Sequence, residues 1–198
     1  MEANLKGKDI TLHNKAFFTL QNFMPGSIKA SWNNLKNFTP VRTDNFFQTV
    51  ALFSRAVEKF PRINSLTNRP VWYFVKNGPA LLNKLYKRLP QLAGKKLVLK
   101  NYPDILKFFA QTRREFVSTN YNSLPKQLVH FDFHPGNVNY LKDKVVALFD
   151  FDWARFDNRL ADLACTLGQS CYYYRGKNRA VYDKNKITLG LYAYRKAY

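Results

Sequence analysis

Cysteine, glycine and acidic residues are all scarce in this chain of 198 residues, and each scarcity argues against something. Only two cysteines are present, Cys165 and Cys171, six apart in one predicted helix. They face different sides of that helix, and no Cys-x-x-Cys or Cys/His spacing accompanies them. A local disulfide and a cysteine-built metal site are therefore not expected, and a reducing compartment fits. Eight glycines leave little for a glycine-rich phosphate loop, and Gly7 is the only one ahead of Gly26. No uninterrupted apolar run exceeds five residues, as in Val145 to Phe149, which is too short to span a bilayer. The opening residues Met1 to Lys6 carry no apolar leader segment. The expectation is a soluble, cytoplasmic protein with no membrane span.

What the chain does have is aromatic mass and positive charge. Seventeen Phe, 12 Tyr and 3 Trp supply a core, which argues against wholesale disorder. Thirty-two Lys and Arg against 13 Asp and Glu give a net charge of +19. A polyanion such as nucleic acid is one reading. The bases are scattered, however, and the accompanying wealth of Asn, Phe and Tyr fits AT-rich coding sequence. Nucleic acid is thus the less favoured reading, because patches rather than totals mark such a partner. The acids say more. Asp132, Asp143, Asp150, Asp152, Asp157 and Asp162 are six of the 13 carboxylates, and they fall within one short stretch. That concentration suggests a divalent-cation site, although turns account for Asp143 and Asp157 just as well.

Patterning divides the chain. Two β-like runs within 9–22 flank His13-Asn14-Lys15, a hairpin pattern. Pro25-Gly26 breaks it, and 28–42 reads as an irregular connection. A helix is predicted to begin at Thr43 or Asp44 as N-cap, with Phe46, Val50, Phe53, Val57 and Phe60 as its apolar stripe, and to stop at Pro61. Pro79 should open a second helix with a core stripe of Leu81, Leu82, Leu85 and Leu89. Pro103 should open a third, with Ile105, Phe108 or Phe109, Thr112 and Phe116 inward. A strand at 127–129 then leads into the polar run 130–137. A hairpin follows, from Val138 to Phe149 with a turn at Lys142-Asp143-Lys144. Two last helices are expected at about 159–174 and 178–197.

The hairpin carries the chemistry. It brings Asp132 and Asn137, on one loop, close to Asp150 at the end of the returning strand. A carboxylate and a carboxamide oxygen suit a hard cation such as Mg²⁺. A second carboxylate, Asp132, remains to orient and deprotonate a hydroxyl, and phosphoryl transfer needs that division of labour. His130, Asp132 and His134 also permit a metal-hydrolase reading, since on a strand all three share one face.

The segment His130-x-Asp132-x-His134-Pro135-Gly136-Asn137, the hairpin, and then Asp150-Phe151-Asp152 resembles the aminoglycoside phosphotransferase-like small-molecule kinases of the protein-kinase-like superfamily. Asp162-Leu163-Ala164 resembles that family's next helix. The resemblance implies an α+β, protein-kinase-like fold with a mainly helical large lobe, a catalytic β-hairpin and a truncated small lobe. Residues 1–27 would be the remnant of small-lobe strands and hinge. Residues 28–198 would be the large lobe, with a catalytic loop at 130–137 and a metal-binding segment at 150–152. Asp132 would be the base, and Asn137 and Asp150 the Mg²⁺ ligands. His130 would support the loop, and His134 would stand near the transferred phosphate. Asp152 would stand behind the metal ligands, and Asp162 would brace the loop. Gln21, Asn22 and Phe23 would be the hinge that binds the adenine of ATP. The implied reaction moves the ATP γ-phosphate to a hydroxyl of a small molecule that is not strongly cationic, because acids outside 130–164 are few and spread. Two departures stand out: Phe131 occupies a position where the family commonly has Gly, and no phosphate-covering loop or marked Lys precedes the hinge. The chain alone should therefore turn over weakly or not at all, and a non-catalytic pseudokinase or interaction module is the alternative.

Overall fold

The computed structural model describes residues 10–13, 16–19, 25–27, 37–62, 69–88, 95–175 and 179–198. The first half holds β1 (Ile10–His13), β2 (Ala16–Thr19), α1 (Pro40–Ala56), α2 (Val71–Arg88) and α3 (Lys95–Ser118). The second half holds β3 (Lys126–Val129), β4 (Val138–Leu141), β5 (Lys144–Leu148), β6 (Arg155–Asn158), α4 (Arg159–Ser170), β7 (Tyr172–Arg175), β8 (Arg179–Tyr182) and α5 (Lys184–Ala197). The strands form four antiparallel pairs: β1–β2, β3–β6, β4–β5 and β7–β8.

The centre is built by α1 against α5. Phe46, Phe47, Val50 and Ala51 of α1 are fully buried. Gly190 of α5 lets the Phe47 ring lie on its backbone, since a Cβ there would sit 2.7 Å from the ring. The same core takes in Phe133, Val138 and Tyr140, so it extends directly beneath the loop at 130–137. Edge-to-face packing of Phe46 on Phe133, with ring centroids 5.4 Å apart, fastens the loop to α1. Gly26, at φ +100°, lets Ser27 exchange two backbone hydrogen bonds with Tyr140 on β4.

Several boundaries differ from the expectations. The N-cap of α1 is Thr39, whose side chain accepts from the Arg42 N–H at 3.3 Å, with Pro40 in the first turn. Thr43 and Asp44 lie inside the helix, and the Pro at 40 was the better start signal. Pro79 and Pro103 do not open helices; they sit inside α2 and α3. One missing N–H is tolerated there because each helix continues on both sides of it. Leu81 and Leu85, expected in the core, are exposed at 37% and 43%, and α2 buries only Val75 and Gly78. Phe60 is also exposed, beyond the end of α1.

The predicted helix at 159–174 stops at Ser170, and the one at 178–197 starts only at Lys184. Between them stands the β7–β8 hairpin. Three consecutive tyrosines favour extended backbone there over a further helical turn. Asp183 caps α5, its Oδ1 accepting from the N–H groups of Asn185 and Lys186. Strand β6 was not foreseen, because Arg-Phe-Asp-Asn has no apolar alternation. Among the described residues no helix is long and apolar enough to cross a membrane.

Candidate active site

The loop after β3 buries some of its side chains and leaves others accessible. His130 and Phe133 are fully buried beneath it, while Asp132 and Asn137 stay partly accessible. Asn137 donates its amide nitrogen twice to Asp132, to the backbone oxygen and to Oδ2, both at 3.0 Å. A carboxylate can only accept, so the nitrogen end of the carboxamide is committed to Asp132. The Asn137 oxygen is the end left to meet a cation. Asn137 is itself held by β5, whose continuation Phe149 donates its N–H to the Asn137 carbonyl at 2.8 Å. Asp150 is the next residue, exposed and at φ +61°. The hairpin thus brings the two ends of the site together, as its topology requires.

His130 is the support beneath. Its Nε2–H donates to the Phe149 carbonyl at 2.7 Å, and its Nδ1 accepts the Asp132 N–H at 3.2 Å. One ring therefore ties the loop to the exit of β5. Burial pushes its pKa down, which favours the neutral ring that this bonding needs. With both nitrogens used, His130 cannot bind a metal. Among the described residues no three His, Cys, Asp or Glu side chains converge on a metal position. The geometry therefore opposes the hydrolase arrangement.

His134 accepts the Gly136 N–H on Nδ1 at 3.0 Å and turns Nε2 toward Asp132 Oδ2, 3.7 Å away. Burial lowers its pKa as well. Asp162, on α4, braces the loop from below. Its two oxygens accept the N–H groups of His130 at 2.9 Å and Phe131 at 2.6 Å. Burial raises its carboxyl to about 6 against those two bonds, which pull it down.

Phe131 has φ +63°, a left-handed conformation that favours glycine. Three partners hold the strained residue: the Asp162 carboxylate on its N–H, the Cys165 thiol on its carbonyl at 3.3 Å, and the Arg155 guanidinium 3.8 Å from its ring centre. Arg155 is buried and also donates to the carbonyls of Trp153 and Arg69. Asp157, read from sequence as turn usage, is a buried hub. It accepts the Val71 N–H, the Tyr121 hydroxyl and the Asn158 N–H, joining α2 and the turn after α3 to β6.

Sequence reasoning missed Gln169. Its amide nitrogen donates to Asp132 Oδ1 at 3.3 Å and to the Cys165 sulfur at 3.0 Å, and its buried oxygen has no hydrogen-bond partner. Its spacing seven residues after Asp162, on the same face of α4, was the available signal. Asp152 is exposed, and Asp143 pairs with Arg42 Nε at 2.8 Å, away from the loop. Gln21, Asn22 and Phe23, the expected adenine-binding hinge, lie outside the described residues.

A family model described as the phosphotransferase enzyme family matches residues 4–198. The chain belongs to that family. A homoserine kinase of Methylocella silvestris is 32% identical to this phosphotransferase-family chain over 80 residues, which are 40% of this chain and 24% of the relative. Solved structures agree on the fold. An aminoglycoside phosphotransferase from Alicyclobacillus acidocaldarius superposes with a TM-score of 0.60 at 16% identity, over 98% of this chain and 57% of that one. An amicoumacin kinase, solved with AMP-PNP, Ca²⁺ and its antibiotic, gives 0.56 at 15%, over 98% and 53%. The fold is therefore the α+β, aminoglycoside phosphotransferase-like form of the protein-kinase-like architecture. The chain spans about a quarter of the curated relative and little more than half of these solved chains.

Proposed function

We propose that this protein transfers the γ-phosphate of ATP to a hydroxyl of a small molecule. The observation that carries the reading is the pairing of Asp132 with Asn137, locked from beneath by neutral His130. Asp132 accepts the proton of the acceptor hydroxyl as its oxygen bonds to the γ-phosphorus and the bond to the ADP oxygen breaks. Asn137 and Gln169 hold the carboxylate from two sides, so it reaches the reaction already oriented. His134, with Nε2 beside Asp132, is the donor suited to the transferred phosphate.

The donor set fits a hard cation. The Asn137 oxygen and the Asp150 carboxylate would hold Mg²⁺, which neutralises phosphate charge when bound. In this reading residues 1–27 belong to the nucleotide-covering side, with Gln21, Asn22 and Phe23 at adenine. Residues 28–198 form the lobe with the catalytic loop 130–137 and the metal-binding segment 150–152. In this reading the reaction belongs to the cytoplasm, where ATP is supplied. The acceptor is not strongly cationic, since Glu115 is the one acid among the residues lining the recess beside Phe131.

The test is ATP consumption by the purified protein across a panel of small alcohols, read by ³¹P NMR. Turnover by this chain alone should be weak, should need a divalent cation and should fall by roughly 10²–10⁴ in Asp132→Asn, the usual worth of a positioned base. Nucleotide binding with no turnover for any acceptor would favour a pseudokinase instead.

A further inference from the structure

Behind the catalytic loop lies a recess of about 520 Å³ between α2, the end of α3 and the first turns of α4. Its walls are Val71, Phe116, Phe131, Leu160, Ala161 and Ala164. That volume takes a body the size of a six-membered ring with a short chain. The polar groups around it are mostly committed elsewhere. The Tyr121 hydroxyl donates to Asp157. The Cys165 thiol donates to the Phe131 carbonyl, and burial raises it to about 11, so it stays neutral. Glu115 is exposed and already accepts from Gln111. No cation is among the lining residues; Arg155, which stacks on Phe131, is itself buried. Glu115 is the only charged wall residue: nothing in the walls can neutralise a carboxylate, and one exposed carboxylate returns an ammonium little for the hydration it would lose against the apolar walls.

The recess is close to the base. The sulfur of the wall residue Cys165 and the catalytic oxygen Asp132 Oδ1 are both bonded to the same Gln169 nitrogen, so they are no more than about 6 Å apart. Phe131, which forms one wall, is the residue immediately before Asp132. An apolar body seated in the recess leaves a hydroxyl on a one- or two-carbon arm within reach of Asp132.

We infer that the acceptor is an uncharged alcohol with an aromatic or branched aliphatic body, and that the Phe131–Ala164 recess holds that body. The inference rests on the phosphotransferase reading and narrows its substrate class. Phe131 is then a specificity residue: the bulk tolerated at φ +63° supplies an apolar wall that glycine would not.

The experiment uses the whole chain and three probes: 2-phenylethanol, L-homoserine and kanamycin. Binding is read first without nucleotide, by saturation-transfer NMR and titration. 2-Phenylethanol should bind, and its Kd should rise at least tenfold in Ala164→Trp, which fills the recess from an exposed position. Leu160 is 48% exposed at the rim, so Leu160→Glu should fold and should weaken the same probe. No binding of 2-phenylethanol, or a Kd unchanged in both variants, overturns the inference. So does L-homoserine or kanamycin binding that is lost in Ala164→Trp. Transfer is then read with Mg-ATP. Phosphate reaching 2-phenylethanol, and lost in Asp132→Asn, supports both the recess and the kinase reading. Recess binding without transfer, while another alcohol of the panel is phosphorylated, leaves an apolar ligand site and overturns its assignment as the acceptor site, the kinase reading standing; no transfer to any alcohol overturns the kinase reading instead.

Discussion

The loop region 127–170 and the helical pair α2–α3 are held by different kinds of force. In the loop region the polar groups carry the specification. Asp162, His130, Asn137, Gln169 and Asp157 each make two or more hydrogen bonds, and most of these groups are buried. A buried polar group without its partners is costly, so such a network admits few alternative geometries. The helical pair buries only Val75 and Gly78 of α2 and no residue of α3 among those described. Its contacts are mostly ring on ring and ring on glycine: Trp72 stacks on Phe116, and Phe109 covers Gly78. Apolar contact is non-directional, so this side can shift more freely, its specific ties being few: the Tyr102 hydroxyl on the Asn83 oxygen between the helices, and the Val71 N–H on Asp157. A positioned base needs the first kind of construction, and a wall that accommodates a substrate can be built from the second.

The contrast should be largest when both regions are emptied of an aromatic ring. Phe46 is fully buried and packs on both Phe47 and Phe133. Phe46→Ala should cost about 3–5 kcal/mol and leave little folded protein. Phe108, 64% exposed on α3, should cost within about 0.5 kcal/mol as Phe108→Ala. Urea denaturation followed by circular dichroism gives both numbers. Equal losses would show that the helical pair is as integral to the core as α1.

A second effect, next in size, belongs to the polar side. Asp162→Asn keeps the shape but replaces one acceptor oxygen with a donor facing a backbone N–H. About 1–3 kcal/mol should be lost, the cost of an unsatisfied buried group. The pH dependence has a definite sign. The folded carboxyl is raised to about 6 from an ordinary value near 4, so between those values the folded state binds the proton and the unfolded state does not. Its contribution to stability is fully present below about pH 4 and fades as pH rises through 6. The stability difference between wild type and Asp162→Asn should therefore shrink from pH 4 to pH 7. A constant difference would mean that Asp162 does not titrate in this window.

The same division explains what was legible in the sequence. That His130, Asp132 and Asn137 are joined, and that the hairpin returns beside Asn137, could be read because polar residues at fixed spacing around a hairpin must satisfy one another. Asp162 was legible for the same reason. Gln169 was not, since one amide on a helix looks like any solvated residue until its neighbours are known. Asp157 and strand β6 were missed because their burial depends on partners from Val71 and Tyr121, far away in sequence. On the apolar side, the stripe of α1 was read correctly for Phe46 and Val50. The stripe of α2 was not, because Leu81 and Leu85 have the spacing of core residues and no partner among the described elements that buries them. Periodicity reports that a face is apolar, and only the fold reports what covers it.

The smallest effect sharpens the comparison most. Gly78 is buried under Phe109, and a Cβ there would stand 2.1 Å from a ring carbon. Gly78→Ala must therefore displace Phe109, while gaining up to about 1 kcal/mol of helix propensity in α2. The ring is part of a half-buried surface and can move, so the two terms should nearly cancel in global stability. The effect should instead appear locally. Hydrogen exchange of the α3 amides around Phe109 should quicken severalfold, because the contact that keeps α3 on α2 is loosened. Amides of the loop region, held by Asp162 and His130, should keep their protection. Faster exchange in both regions would show that the helical pair and the loop open as one unit, and the contrast between them would then fail.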